Sequence, residues 1–279
     1  MTSIGIIGLG IIGSRAAATL SSAGVEVYVW SPTPRPVANF LASPAEMASL
    51  TKVIQLFVRD SEALVETVEA VRDQLTHEHV VINSATVSPS ATRKAASIVQ
   101  GAAASFLDAP FTGSKDAAAA GELTYYVGGN VDILAEVRSL LEITSKAILH
   151  VGEIGHATVL KLATNMITAS TIEILAEALA LTRSQGIAPE KLAAAIALNA
   201  CSSAAATMKL PAMINRSYEP HFSTKNMLKD TGYALEMAAT TKPPLDLPVL
   251  AQVASILRET ADSGHADDDF ASLAQRYAK

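Results

Sequence analysis

Apolar positions along the chain fall into two regimes. Through the first half, short apolar runs alternate with longer stretches of mixed character. Residues 4–7 (Ile-Gly-Ile-Ile) read as a buried strand, residues 14–23 as a small-residue helix, and residues 25–30 as a second strand. Residues 53–58 are apolar except for Gln55, and a polar helix is expected over 61–75. Strands at 79–83 and 105–109 enclose a helix at 89–99, and strands at 123–127 and 147–151 flank a helix at 131–142. This alternation predicts a doubly wound parallel sheet.

After residues 152–155 (Gly-Glu-Ile-Gly) the strand pattern stops. Nothing breaks helix from His156 to about Gln185, where Gly186 and Pro189 supply a stop. At about 1.5 Å per residue this helix would be roughly 45 Å long, so it is expected to bridge two halves. The remainder reads as helix only, at 189–200, 225–239, 247–262 and 269–277. The expected organisation is an α/β domain over 1–155 and an all-α domain over 156–279.

Composition narrows the class. At 279 residues the chain exceeds one ordinary α/β domain, and 49% hydrophobic against 17% charged residues supports sizeable cores. The apolar excess points to buried subunit contacts, hence a homodimer or homotetramer. A net charge of −6 with no Lys/Arg run argues against nucleic acid as a partner. Cys201 is the one cysteine, so no internal disulfide or cysteine zinc site is possible. The six histidines show no metal-ligand spacing beside an acid, and no metal is expected; His150 and His156 read as structural. The start lacks a basic n-region and the uncharged stretches are too short for a bilayer, so a cytoplasmic protein with no membrane partner is expected.

The chemistry begins at Gly8-Leu9-Gly10-Ile11-Ile12-Gly13, placed between a strand and a helix. In that setting Gly8 allows the tight turn, Gly10 lets backbone approach a pyrophosphate, and Gly13 lets helix pack on strand. The helix N-terminus then offers N–H groups to the anion, which implies a dinucleotide cofactor. An NAD site usually carries an acid at the tip of the second strand, but Glu26 stands at the wrong end. The tip instead carries Ser31, Thr33 and Arg35, which suit a 2′-phosphate; the alternative for Arg35 is a solvated loop residue. NADP(H) is favoured and NAD(H) possible.

Further clusters stand out. Lys161 is followed by eleven uncharged residues, with Asn165 four positions on and on the same helical face. Unpaired polar groups on a buried face are costly, so both need partners or a task. The plainer reading has Lys161 snorkelling to solvent and Asn165 capping a carbonyl. Asp108-Ala109-Pro110-Phe111-Thr112-Gly113-Ser114 ends a strand, where open α/β sheets bind ligands. There Thr112, Ser114 and the Gly113 N–H suit a carboxylate, or Ser114 is simply a helix cap. Residues 83–89 (Asn-Ser-Ala-Thr-Val-Ser-Pro) form a similar loop, with Ser88 and Pro89 reading as a helix start. Residues 222–230 open an amphipathic helix, and Lys229-Asp230 reads locally as a surface pair worth under about 1 kcal/mol. Asp267-Asp268-Asp269 reads as negative charge set before the last helix.

Together these segments resemble the β-hydroxyacid dehydrogenase family, which includes 3-hydroxyisobutyrate dehydrogenase, tartronate semialdehyde reductase and glyoxylate/succinic semialdehyde reductase. The resemblance runs end to end through the glycine turn, residues 84–89 and 108–114, and the Gly152, Gly155, Lys161, Asn165 spacing. It continues through Lys229-Asp230 and residues 264–270 (Gly-His-Ala-Asp-Asp-Asp-Phe). It implies an N-terminal Rossmann-type doubly wound sheet and a C-terminal all-α domain joined by a long bridging helix. It also implies a catalytic general acid/base at Lys161, with Asn165 orienting a small carboxylated carbonyl substrate. Thr86 would lie by nicotinamide and substrate, and Thr112 and Gly113 would hold the substrate carboxylate, with Ser114 beside them. Phe222 and Asp230 would line the pocket, Lys229 would approach the cofactor, and backbone at Phe57 and Val58 would cover the adenosine side. Ser114-Lys115 and Leu123-Thr124 lie nearer the glyoxylate/succinic semialdehyde reductase branch. The chain departs from the family in having Ile12 for Met, Ser31-Pro32-Thr33 for Asn-Arg-Thr, and Thr112 for Ser. An imine reductase is the near rival, against which Lys161 speaks, and a non-catalytic NADP(H)-binding sensor the distant one.

Overall fold

The computed structural model describes residues 3–277. The chain forms two compact units, Met1–Lys161 and Leu162–Lys279. In the first, β1 (Ser3–Ile7), β2 (Glu26–Trp30), β3 (Val53–Leu56), β4 (Val80–Asn83) and β5 (Ser105–Asp108) form a parallel sheet in the order β2-β1-β3-β4-β5. All residues of β3 and β4 are buried, as strands covered on both faces must be. Period-two alternation splits them between two cores. Ile4, Ile6, Val80 and Ile82 pack on one face with Leu20, Val137 and Leu141; Ile54, Leu56 and Val81 pack on the other with Leu64, Val68 and Val99.

Beyond β5 the sheet departs from the all-parallel expectation. The short β6 (Phe111–Thr112) leads into α5 (Lys115–Ala119), and β7 (Leu123–Gly128) returns antiparallel to β5 and β6. A parallel return needs a helical crossover, and the five-residue α5 is too short to make one. Parallel pairing resumes once α6 (Val131–Ile143) carries the chain to β8 (Ser145–Gly152). The expected helices at 14–23, 61–75 and 89–99 correspond to α1 (Ile11–Ser22), α3 (Ser61–Arg72) and α4 (Pro89–Gly101). Between β2 and β3 lies a further helix, α2 (Pro44–Leu50), where Ser43 accepts from the Glu46 N–H as a regular N-cap.

The bridging helix is α7 (His156–Ser184), 29 residues long. Among the described residues it is the one helix long and apolar enough to cross a membrane by length and composition. In the second unit its Ala169, Ile172, Leu175, Ala176 and Leu179 recur at helical spacing and pack with Leu210, Met213, Met227, Val253, Leu257 and Phe270. These partners come from α9 (Ala204–Asn215), α10 (Thr224–Thr240), α11 (Pro248–Thr260) and the final segment; α8 (Pro189–Ala197) packs on α9. The expected last helix is a 3₁₀ segment, Phe270–Tyr277, and Asp269 before it is buried rather than set out in front of a dipole.

Candidate cofactor and substrate site

Sheet register organises the first unit's half of the site. Ile7 pairs with Trp30 on one side and Leu56 on the other; Leu56 pairs with Asn83, and Asn83 with Asp108. These five residues form one row across the parallel sheet. Each candidate segment leaves its strand one residue later, at Ser31, Gly8, Phe57, Ser84 and Ala109. Chain order reverses between β1 and β3, and such a switch point at the carboxyl ends of strands is where open α/β sheets take ligands.

The three glycines of the turn have different surroundings. Gly8 has φ +103°, and a Cβ there would lie 2.4 Å from the Phe57 carbonyl oxygen. A Cβ on Gly13 would lie 1.9 Å from the Gly8 oxygen, so the helix reaches the strand only without one. A Cβ on Gly10 would meet nothing within 4 Å. Gly10 is the N-cap of α1 and no side chain caps the helix, which leaves first-turn N–H groups for an anion. A constrained turn with one open glycine and an uncapped helix fits a dinucleotide pyrophosphate. Leu9 turns into the core, Ile11 is exposed and Ile12 packs against the core, so Leu9 offers the turn only its backbone.

At the tip of β2, Ser31 is buried and its hydroxyl donates to the Thr33 carbonyl at 2.6 Å. That hydrogen is committed to holding the loop, whereas Thr33 and Arg35 are exposed. Phe57 and Val58 are half-buried; the Phe57 N–H donates to Ile7 and its ring lies 6.0 Å from that of Phe111. After β4, Asn83 accepts from the Ala85 N–H and pins the loop that carries Thr86. Ser88 caps α4 with Pro89 in its first turn, the plainer of its readings. Thr112 and Gly113 are exposed at the strand end, and Ser114 accepts from the Ala117 N–H as the N-cap of α5.

Asp108 is fully buried. Its Oδ2 accepts from the Gly155 N–H at 3.0 Å and the Thr158 N–H at 2.9 Å, and its Oδ1 from the Thr158 hydroxyl at 2.8 Å. Burial pushes this carboxyl up to about 6, against the pull of those hydrogen bonds and of His156. The motif around Asp108 gives no sign of this task in the sequence, because its partners lie 47 and 50 residues away. Lys161, three residues past Thr158 on α7, is half-buried.

The helical unit holds three of its candidates in one cluster. The Asn165 amide donates to Asp230 Oδ2 at 2.7 Å, and Lys229 Nζ lies 2.9 Å from Asp230 Oδ1. Asp230 is buried, so this is an internal ionic cluster rather than the surface pair its spacing suggests. Lys229 also stands 5.0 Å over the Tyr233 ring. Phe222 packs edge-on against Phe270 at 6.3 Å and donates its N–H to Asp269 Oδ2. Asp269 accepts as well from Lys209 Nζ at 2.6 Å and from the His221 and Ala271 N–H groups. No local signal in the sequence marks Lys209, which lies 60 residues from its partner.

A switch-point glycine turn, an uncapped helix start and donors along one sheet edge define an NAD(P)-binding domain. Residues 3–152 match the model described as the NAD binding domain of 6-phosphogluconate dehydrogenase, and residues 155–277 that described as NAD-binding of NADP-dependent 3-hydroxyisobutyrate dehydrogenase. The mitochondrial 3-hydroxyisobutyrate dehydrogenase of Mus musculus is 30% identical over 98% of this chain and 86% of its own length. Glyoxylate/succinic semialdehyde reductase 2 of Arabidopsis thaliana is 26% identical over 97% of this chain and 78% of its own length. The solved structure of Mycobacterium tuberculosis 3-hydroxyisobutyrate dehydrogenase with L-serine has a TM-score of 0.92 at 26% identity, with all of both chains covered. The chain belongs to the β-hydroxyacid dehydrogenase family of NAD(P)-dependent enzymes.

Proposed function

We propose that the chain reduces a small carboxylated aldehyde or 2-oxo acid to the hydroxy acid, with Lys161 as general acid/base and NADPH preferred over NADH. The observation that carries this reading is the common register row, from which the glycine turn and the Thr86 and Thr112 segments all emerge on one edge. Bound NADPH supplies a hydride to the carbonyl carbon. As negative charge grows on the carbonyl oxygen, the Lys161 ammonium hydrogen-bonds it and delivers the proton; in reverse the amine takes it back. Thr86 lies by the nicotinamide and the substrate, and the Thr112 hydroxyl and the Gly113 N–H hold the substrate carboxylate. A carboxylate can only accept, so Asp230 turns the Asn165 amide nitrogen toward itself and leaves the amide oxygen for the hydroxyl of the hydroxy acid.

Thr33 and Arg35 are the groups for the 2′-phosphate. Residues 114–115 and 123–124 favour glyoxylate or succinic semialdehyde as substrate, in keeping with the name of the Arabidopsis relative. Homo-oligomerisation is supported by the exposed stripe of Ile167, Ile174 and Leu181 on α7, spaced by two helical turns.

The test is reduced-nicotinamide oxidation against glyoxylate, succinic semialdehyde, tartronate semialdehyde, methylmalonate semialdehyde and a cyclic imine, with NADPH and NADH in parallel. Turnover of a carboxylated aldehyde that falls about 10²–10⁴-fold in Lys161→Ala, with NADPH affinity retained, is the expected result. Near-normal turnover in Lys161→Ala, or turnover of the imine alone, would overturn it.

A further inference from the structure

We propose that Asp108 is a positioning residue, whose capping of the first turn of α7 sets where Lys161 stands relative to residues 109–114. The inference rests on the reading of Lys161 given above. A helix start leaves its first N–H groups without internal partners, and a local side chain usually satisfies one of them. Here the residue before α7 is Gly155, which has no side chain. The acceptor comes instead from the end of β5, through the three hydrogen bonds of Asp108 to Gly155 and Thr158.

The latch is held from other sides too. The Thr158 hydroxyl lies 3.0 Å from that of Thr92 on α4. The Gly129 N–H donates to the Gly152 carbonyl at 2.8 Å, and Asp108 pairs in register with Gly128. A Cβ on Gly128 would lie 2.4 Å from the Glu153 carbonyl oxygen, so the approach to α7 is packed directly on β7. Asp108 therefore has two neighbours of consequence. Its own chain continues at once into the proposed carboxylate-binding segment, and the helix it caps carries Lys161 within one turn of Thr158. A buried carboxylate with both oxygens used this way fixes one against the other. A misplacement of 1 Å between reacting groups is enough to cost about 10²-fold in rate.

Thr158→Val removes the hydroxyl bond and keeps both the volume and the backbone N–H, while Thr158→Ser keeps the bond. Asp108→Asn serves as a stronger variant. Two readouts are needed: steady-state kinetics with glyoxylate and succinic semialdehyde, and the side-chain resonance of isotope-labelled Lys161, assigned with Lys161→Ala. Thr158→Val is expected to lower kcat about tenfold with KM and NADPH affinity little changed, and to shift the Lys161 resonance. Thr158→Ser is expected to restore both, and Asp108→Asn to exceed Thr158→Val.

A Thr158→Val protein that melts earlier but keeps kcat and the Lys161 resonance would make the latch merely structural and overturn the proposal. If Asp108→Asn does not fold, the Thr158 pair still decides. If Lys161→Ala stays active, the functional reading fails instead, and the resonance alone reports whether the latch governs Lys161.

Discussion

The two halves of the chain hold their polar chemistry by different means. In the sheet half, positions are set by backbone: one register row delivers five loops to the same edge, and the groups offered there are largely N–H donors and loop hydroxyls. Among the described residues the helical half has no such row. It fixes its polar side chains through buried charge clusters, Lys209 with Asp269 and Asn165 with Asp230 and Lys229, each closing a span of 60 residues or more. A backbone-built site tolerates side-chain change and is vulnerable at its glycines. A cluster-built one fails when either partner of a pair is lost.

The largest effect that would test this contrast is in the helical half. Asp269→Ala leaves Lys209 as a buried unpaired charge and also strands the N–H groups of His221, Phe222 and Ala271. Breaking a buried pair in this way costs about 3–5 kcal/mol. Lys209→Met is expected to cost less, because Asp269 keeps its backbone donors. Urea unfolding of the two variants checks the order; equal small losses would show that the cluster does not hold this half.

The next effect lies in the sheet half, where Asp108 is the one member built like the helical clusters. Its folded-state pKa, about 6, is raised above the ordinary 3.8, so the folded state favours the protonated form. Its contribution to stability is then full below about pH 3.8 and is lost as pH rises through about 6, a change of up to about 3 kcal/mol. Asp108→Asn stays neutral in both states. The stability of the native protein relative to Asp108→Asn is therefore expected to fall between about pH 4 and about pH 6, as followed by urea midpoints. A flat difference would mean that the hydrogen bonds cancel the effect of burial, and a rise with pH that they outweigh it.

Smaller and sharper is the glycine comparison. Gly10→Ala adds a methyl into open space at ordinary φ, so it should fold with near-native stability and yet weaken NADPH binding about 10- to 100-fold. Gly13→Ala places its Cβ 1.9 Å from backbone and should destabilise the fold itself. Thermal melts with and without NADPH separate the two. Equal behaviour would remove the distinction between a turn built for ligand and one built for packing.

The same contrast explains how much of the molecule was legible. Glycine spacing is local, so the turn, its flanking elements and the Ser88 cap could be read directly from adjacent residues. The direction of β7 could not, because its apolar run looks the same whichever way the strand enters the sheet. Nor could α9: Pro211 stands inside it and reads as a breaker, although the structure carries the helix through. Lys161 and Asn165 were visible as polar residues on an apolar helix. Their neighbours were harder, since Asp108 reaches α7 across 47 residues and Asp230 reaches Asn165 across 65. Hydrophobic periodicity carries no information about pairings of that length.

The smallest effect concerns the one loop of the register row for which a side-chain charge is proposed. With the Ser31 hydrogen already given to the Thr33 carbonyl, the proposed 2′-phosphate site at the end of β2 would depend on the Arg35 guanidinium and the Thr33 hydroxyl. Arg35 is exposed, and a solvated cation facing a phosphate contributes modestly. Arg35→Ala is therefore expected to weaken NADPH about tenfold, to leave NADH unchanged, and to lose most of its effect at high salt. Ser31→Ala, by contrast, should weaken both cofactors alike, because it loosens the loop rather than removing a phosphate contact. Titration of both variants with both cofactors decides the matter. Equal losses for NADPH and NADH in Arg35→Ala would make that residue another backbone-holding part of the edge, and the 2′-phosphate would need a different partner.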